Sequence, residues 1–183
     1  MKVIAIHGSP NEGGLTESLA LAALEGAAEA GAETELVRLT DLQLGHCRQC
    51  NNGWFKCREE GRCIIEDDFE QVRGKIREAD AWVLVSPVYF WDLSESVKVF
   101  TDRLRRCNTG AKGEGLADKP VLGIAAAGGS GNGIAQCLTQ MDQLFKHINA
   151  EIADLITATR RSREYKLAAA RAAGKAMVEA LKG

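Results

Sequence analysis

VIAIHGSPNEGGLTES, residues 3 to 18, decides the fold: an apolar run stops at a glycine-rich turn, and a helical pattern begins behind it. Strand, loop and helix in that order leave unpaired backbone N–H groups at a helix start, facing outward, where an anion is stabilised. Gly8, Gly13 and Gly14 let the backbone approach a phosphate closely, and Ser9, Thr16 and Ser18 add hydroxyl donors. A tight turn that binds nothing is the alternative. Two better-known phosphate loops are excluded by inspection. Gly14 is followed by Leu15 and Thr16, not by Lys and Ser/Thr, and Pro10 stands where a dinucleotide fingerprint needs its second glycine. A hydroxyl- and amide-lined loop without lysine suits a phosphate monoester better than a metal-bound triphosphate.

Outward from that loop, Leu19, Ala22, Ala23 and Gly26 continue a helix that ends near Gly31. ETELVRL, residues 33 to 39, alternates apolar and polar, as a half-exposed edge strand does, whereas VIAI, AWVLV and VLGIAA are uniformly apolar and suit strands buried on both faces. Phe69, Val72 and Ile76 mark a helix with Asp67 or Asp68 as cap and first-turn acid, and the strand Ala81 to Val85 is stopped by Ser86 and Pro87. SPVYFWDLSES, residues 86 to 96, is a second strand-to-helix loop with three adjacent aromatics; Ser94 or Ser96 caps the next helix, whose Val97, Phe100 and Leu104 share a face. Residues 107 to 119 read as a mobile surface loop, and VLGIAAA ends in a third glycine loop, GGSGNG, residues 128 to 133. An amphipathic helix from Ile134 to Ile148, the strand IADLITA and a closing helix complete the chain.

Five strands alternating with five helices predict a single α/β domain over residues 1 to 183, a doubly wound parallel sheet of flavodoxin-like order 2-1-3-4-5, with a cysteine-rich excursion at about 40 to 67. Strands one, three and four are then interior, in agreement with their hydropathy. Ligand sites in such sheets lie beyond the carboxyl ends of the strands, at the switch point between strands one and three, so the three unusual loops converge on one crevice. A phosphorylated planar heterocycle, FMN above all, fits a phosphate loop, a set of flat aromatics (Tyr89, Phe90, Trp91) and the bare amides of Gly128, Gly129, Ser130 and Gly131. Trp82, inside a strand, belongs to the core.

The 183 residues are 45% apolar, an ordinary fraction for one globular domain, and the net charge of −2 argues against a nucleic-acid partner. No apolar stretch reaches the length of a membrane span, and Met1 is followed at once by a strand-like segment, so neither signal peptide nor membrane anchor is expected and the location expected is cytoplasmic. Six cysteines in that compartment do not form a disulfide framework. Cys107 and Cys137 stand alone and read as buried thiols.

GSPNEGGLTES, SPVYFWDLSESVKVFTDR and AAAGGSGNG together resemble the flavodoxin-fold family of NAD(P)H-dependent FMN reductases and quinone reductases, over essentially the whole chain. The resemblance implies an oxidoreductase in which Ser9, Asn11, Thr16, Glu17 and Ser18 hold the FMN phosphate, Pro87, Val88, Tyr89 and Phe90 flank the ring, and Gly128, Gly129 and Ser130 border it. Family members commonly carry a basic residue at the position of Asn11 and Asn at that of Leu15, so here phosphate neutralisation rests on amides and the helix dipole. Hydride from NAD(P)H as co-substrate would pass through FMN to a flavin, quinone or other small acceptor, or to a redox protein. No catalytic acid or base is assigned; His7, His46 and His147 read as packing or surface residues. A homodimer or homotetramer is expected.

Cys47, Cys50, Cys57 and Cys63 form C-x2-C-x6-C-x5-C inside the excursion. Four thiolates in one loop can ligate an iron–sulfur cluster or a zinc ion, or remain reduced thiols packed at a subunit interface. The spacing resembles that of the iron–sulfur flavoproteins, a subset of the family that passes electrons between a [4Fe-4S] cluster and FMN, but is wider between the second and third cysteines, where NNGWFK intervenes. A flavodoxin-like electron carrier and a metal- or redox-sensing module are the competing functions.

Overall fold

The structure, a computed structural model, describes residues 1–109 and 115–183, so residues 110 to 114 of the loop expected to be mobile lie outside the described residues. In chain order the elements are β1 (Lys2–His7), α1 (Leu15–Glu29), β2 (Glu33–Arg38), α2 (Lys56–Glu59), α3 (Phe69–Glu78), β3 (Ala81–Tyr89), β4 (Asp92–Leu93), α4 (Glu95–Cys107), β5 (Pro120–Ala127), α5 (Ile134–His147), β6 (Glu151–Thr159) and α6 (Arg163–Ala180). The parallel strands order as β2-β1-β3-β5-β6, which is 2-1-3-4-5 once the two-residue β4, paired antiparallel to the end of β3, is set aside.

Alternation along each interior strand divides the core into two layers. Ile4, Ile6, Trp82, Leu84 and Val121 pack toward α3, α4 and α5, while Val3, Ala5, Val83, Val85, Leu122 and Ile124 pack toward α1 and α6. The second layer is alanine-rich because its helices cross closely. A Cβ on Gly26 would overlap the carbonyl oxygen of Arg171, and one on Gly174 that of Ala23, so the two backbones touch.

Three local expectations need correction. β3 does not stop at Ser86 and Pro87 but runs to Tyr89. Its β1 neighbour ends at the His7–Val85 pair, so Pro87 has β5 on one side only, and a missing donor on the open side costs nothing. Ser94 sits at the N-cap of α4 without capping it; its hydroxyl and that of Ser96 both donate to the carbonyl of Gly8, each at 3.1 Å. Asp68 is the residue before α3 but makes no side-chain cap, and the first-turn acid is Glu70; Asp67 accepts from the Phe69 N–H at 3.2 Å and has a larger role, described below. The excursion contains two short 3-10 turns, Leu39–Asp41 and Asn51–Gly53, and the single-turn α2, and is otherwise irregular.

Candidate functional site

The loops after β1, β3 and β5 leave adjacent strands at the same end of the sheet, so the topology alone brings them together. The first is pinned from three sides. Gly8 donates to Val85 O at 3.3 Å and accepts from Ser94 and Ser96, and a Cβ there would lie 2.5 Å from Ser96 Oγ and 2.6 Å from Ser94 Oγ. Only glycine lets α4 come this close. Beneath the loop, buried His7 accepts the Ser9 N–H on Nδ1 at 3.3 Å, which puts its proton on Nε2, a buried nitrogen without a partner. Burial and the nearby Arg38 hold its pKa below the usual histidine value, so His7 is neutral.

Ser9 Oγ accepts the Asn11 N–H at 3.2 Å, and the N–H groups of Leu15 and Thr16, with the Thr16 hydroxyl, have no protein acceptor among the described residues. These groups face whatever sits at the start of α1. Glu17 is turned elsewhere: its carboxylate accepts the Gly13 N–H and pairs with Arg38, which also reaches Glu12 and Asp41, each at 3.5 Å. The Gly13 N–H, working against burial and helped by Arg38, keeps Glu17 below the ordinary carboxylate range. Ser18 Oγ donates to Gly14 O at 2.9 Å and accepts from Arg163 at 2.9 Å, which ties the first turn of α1 to α6. Arg38 escaped the sequence reading, although the expected order puts the end of β2 beside His7.

In the second loop Pro87 and Val88 belong to the strand, and Val88–Leu93 and Tyr89–Asp92 pair as a hairpin whose two-residue tip is Phe90 and Trp91. Both tip residues have left-handed backbone, φ 47° and 64°, in a turn that favours Asn-Gly. Each such residue costs roughly 1–2 kcal/mol. Phe90 is 91% exposed, and Tyr89 and Trp91 are half-exposed. Bulky aromatics have therefore been placed, against backbone preference, where they contribute little to the core. The third loop meets them: a Cβ on Gly133, φ 78°, would lie 2.8 Å from Trp91 Cγ. At Gly128 and Gly129 a Cβ would meet no atom within 4 Å, so open space lies over these two residues; Ser130 Oγ accepts the Asn132 N–H at 3.2 Å.

A cleft lined by Gly8, Pro10, Leu44 and Ser96 adjoins a second cleft along α4, with His46, Tyr89, Glu95 and Val99 common to both, and the second reaches Cys47 and Arg106. Cys47, Cys50, Cys57 and Cys63 surround a small hollow of about 30 Å³ together with Cys107, Arg103 and Arg106 of α4. Cys107, which stands alone in the sequence, is thus a fifth thiol of the group; with Arg103 it lies one helical turn apart on the same face, a periodicity legible in RLRRC. Among the described residues no three His, Cys, Asp or Glu are close enough to share a single metal ion.

Left-handed backbone at Gln49, Asn51, Asn52, Gly53 and Gly61 winds the loop around this hollow. Side chains of α3 and α4 hold it. Arg103, 1% exposed, forks onto Asp67 at 2.6 and 2.9 Å, donates to Gly45 O at 3.0 Å and lies 4.2 Å over the Phe69 ring. Arg106 donates to Gly53 O and lies 4.7 Å over the Trp54 ring, and Glu70 accepts the Cys63 N–H at 2.7 Å while paired with Arg73. A hydrogen bond from the Cys107 thiol, opposed by burial and aided by the Ile65 N–H and Arg103, brings the Cys63 pKa down to about 5. The same bond and burial push the Cys107 thiol up. Cys137 is buried apart from this group.

The sheet order and the three converging loops define a flavodoxin-like α/β protein. The sequence profile of the NADPH-dependent FMN reductase family matches residues 1–164, and the chain belongs to that family. It is 41% identical over 152 residues to an iron-sulfur flavoprotein of Methanocaldococcus jannaschii, covering 83% of this chain and 75% of that one. To an iron-sulfur flavoprotein of Methanosarcina thermophila it is 34% identical over 156 residues, with 83% and 76% covered. Among solved structures, the NAD(P)H:quinone oxidoreductase from Methanothermobacter marburgensis superposes with a TM-score of 0.76 at 19% identity, over 96% of this chain and 94% of that one. A flavone reductase gives a TM-score of 0.77 at 21% identity, over all of this chain and 63% of that one. At these identities the structural likenesses speak to the fold. No helix among the described residues is long and apolar enough to cross a membrane.

Proposed function

We propose that the chain is an FMN-dependent oxidoreductase that takes hydride from NAD(P)H and passes electrons, through a cluster on its cysteine loop, to a redox protein or small acceptor. The observation that carries this reading is the run of adjoining clefts along α4, which share His46, Tyr89, Glu95 and Val99 and then Cys47 and Arg106, between the first two loops and the thiol hollow. Both groups fit the residues present. The unpartnered amides at the start of α1, the open amides of Gly128 and Gly129 and an exposed aromatic tip suit a phosphate and a flat ring. A hollow walled by five thiols, with Arg48, Lys56, Arg103 and Arg106, no carboxylate and the buried, unpartnered Nε–H of Arg103, suits a compact anionic, sulfur-ligated group.

Ser9, Asn11, Thr16 and the N–H groups of Leu15 and Thr16 would hold the phosphate, with Glu17 and Ser18 fixing the loop that presents them. Pro87, Val88, Tyr89, Phe90 and Trp91 would flank the ring, and the N–H groups of Gly128, Gly129 and Ser130 would stabilise negative charge at its edge. Cys47, Cys50, Cys57 and Cys63 would ligate the cluster, and Arg103 and Arg106 would offset its charge. When bound, FMN supplies the step from a two-electron hydride to single electrons, and a [4Fe-4S] cluster relays electrons one at a time. The protein would work in the cytoplasm as one domain per chain in a homodimer or homotetramer, without nucleic acid. Addition of NADPH or NADH to the anaerobic protein should bleach the flavin absorbance with no partner reductase, and the visible cluster absorbance after it. Flavin that stays oxidised contradicts this reading.

A second reading, a metal-free reductase of quinones or flavins, is favoured by the lack of three closely grouped ligands among the described residues. It requires flavin bands without iron.

A further inference from the structure

We propose that Arg103, seconded by Cys107, is the hydrogen-bond donor that stabilises negative charge on the Cys63 sulfur and so sets the reduction potential of the cluster, an inference that rests on the cluster reading above. The guanidinium is fixed before any ligand arrives. Both Nη atoms are engaged by Asp67 and Gly45 O, and the plane lies on Phe69. The remaining nitrogen, Nε, is buried with its N–H unpartnered, and the hollow that Arg103 lines offers no carboxylate to accept it. What the wall does offer is sulfur: Cys63 lies within reach of both the guanidinium and the Cys107 thiol, and its backbone N–H is fixed by Glu70. Of the four loop cysteines it is thus the one flanked by a buried cation and a buried S–H donor. Donors to the sulfurs of a cluster favour its more reduced, more negative form and raise its potential. If Arg103 merely staples Asp67 to α4, no such effect exists. Arg103 is a positioning residue for charge, with no contact to the substrate.

The test is the midpoint potential of the cluster, followed by paramagnetic resonance during anaerobic redox titration, in protein reconstituted with ferrous iron and sulfide. Arg103→Met combined with Asp67→Asn, which avoids a stranded carboxylate, should retain iron and sulfide and move the midpoint to more negative values, with the flavin potential unchanged. Cys107→Val should move it less in the same direction, and Cys107→Ser, which keeps a donor, should restore it. Midpoints equal to wild type in the double variant and in Cys107→Val overturn the proposal and leave the cluster intact. Should the double variant fail to fold or to load iron, the Cys107 pair decides: equal midpoints for Val and Ser overturn it. Wild-type protein that binds flavin but takes up no iron overturns the cluster reading and the proposal with it.

Discussion

The crevice and the thiol hollow flank adjoining clefts along α4 but are built by opposite means. At the crevice the sheet does the positioning: β1, β3 and β5 are neighbours, so their loops must meet, and the loops themselves need only glycine where backbones approach, as at Gly8 beneath Ser94 and Ser96. The hollow has no strand beneath it. Its loop is wound by left-handed residues and tied down by charged side chains reaching across from α3 and α4, Arg103 to Asp67 and Arg106 to Gly53. A site placed by topology tolerates local change; a site placed by one long-range ion pair and a few side-chain hydrogen bonds fails when one partner is removed.

The sharpest way to break that contrast is Arg103→Met alone. It leaves the Asp67 carboxylate, whose side chain is 9% exposed, buried without its cation, a loss of about 3–5 kcal/mol. Urea unfolding should register that loss, and the cysteine loop should become protease-sensitive first. Acid should do the same in wild type. Burial raises the Asp67 pKa, but the Arg103 pair and the N–H groups of Gly45 and Phe69 outweigh it, so the folded pKa lies below the unfolded one. The stability this pair contributes is present above about pH 4, the unfolded value, and is lost as pH falls through the lower folded pKa. An unfolding midpoint flat from pH 5 down to 2 would contradict the assignment.

Gly174→Ala is the corresponding insult on the crevice side, because its Cβ would overlap the Ala23 carbonyl where α6 crosses α1. A loss of about 1–3 kcal/mol is expected, with thiol accessibility in the hollow unchanged. The smallest effect has two signs. Replacing Phe90–Trp91 by Asn–Gly relieves two left-handed aromatics but loses the Trp91 contact with Gly133 and the Phe90–Trp91 edge pair, and should stabilise the fold by a net of roughly 1–2 kcal/mol. The same change should weaken FMN binding by about 0.5–1.5 kcal/mol, some two- to tenfold in Kd measured by fluorescence. Tighter FMN binding by that variant would show that the aromatic tip does not serve the ring.

The same contrast explains which features are legible in the sequence. Uniform apolar runs against one alternating run suffice to order the strands, because burial on both faces leaves its mark on composition, and the glycine loops then fall at one end by the rule of doubly wound sheets. Side-chain roles that depend on a distant partner left weaker marks. Ser94 and Ser96 have the chemistry of helix caps and instead brace Gly8; Pro87 has the chemistry of a strand stop and instead borders an open edge. Arg103 and Cys107 carry a helical spacing that places them on one face, yet that the face meets four cysteines some forty to sixty residues earlier is a tertiary fact.

The most direct test of two centres in one chain is to purify the protein without oxygen and count released flavin, iron and acid-labile sulfide per chain beside the visible spectrum. One FMN with about four iron and four sulfide per chain is the predicted result. FMN with no iron would remove the cluster from the account, and protein that binds no flavin would contradict its central claim.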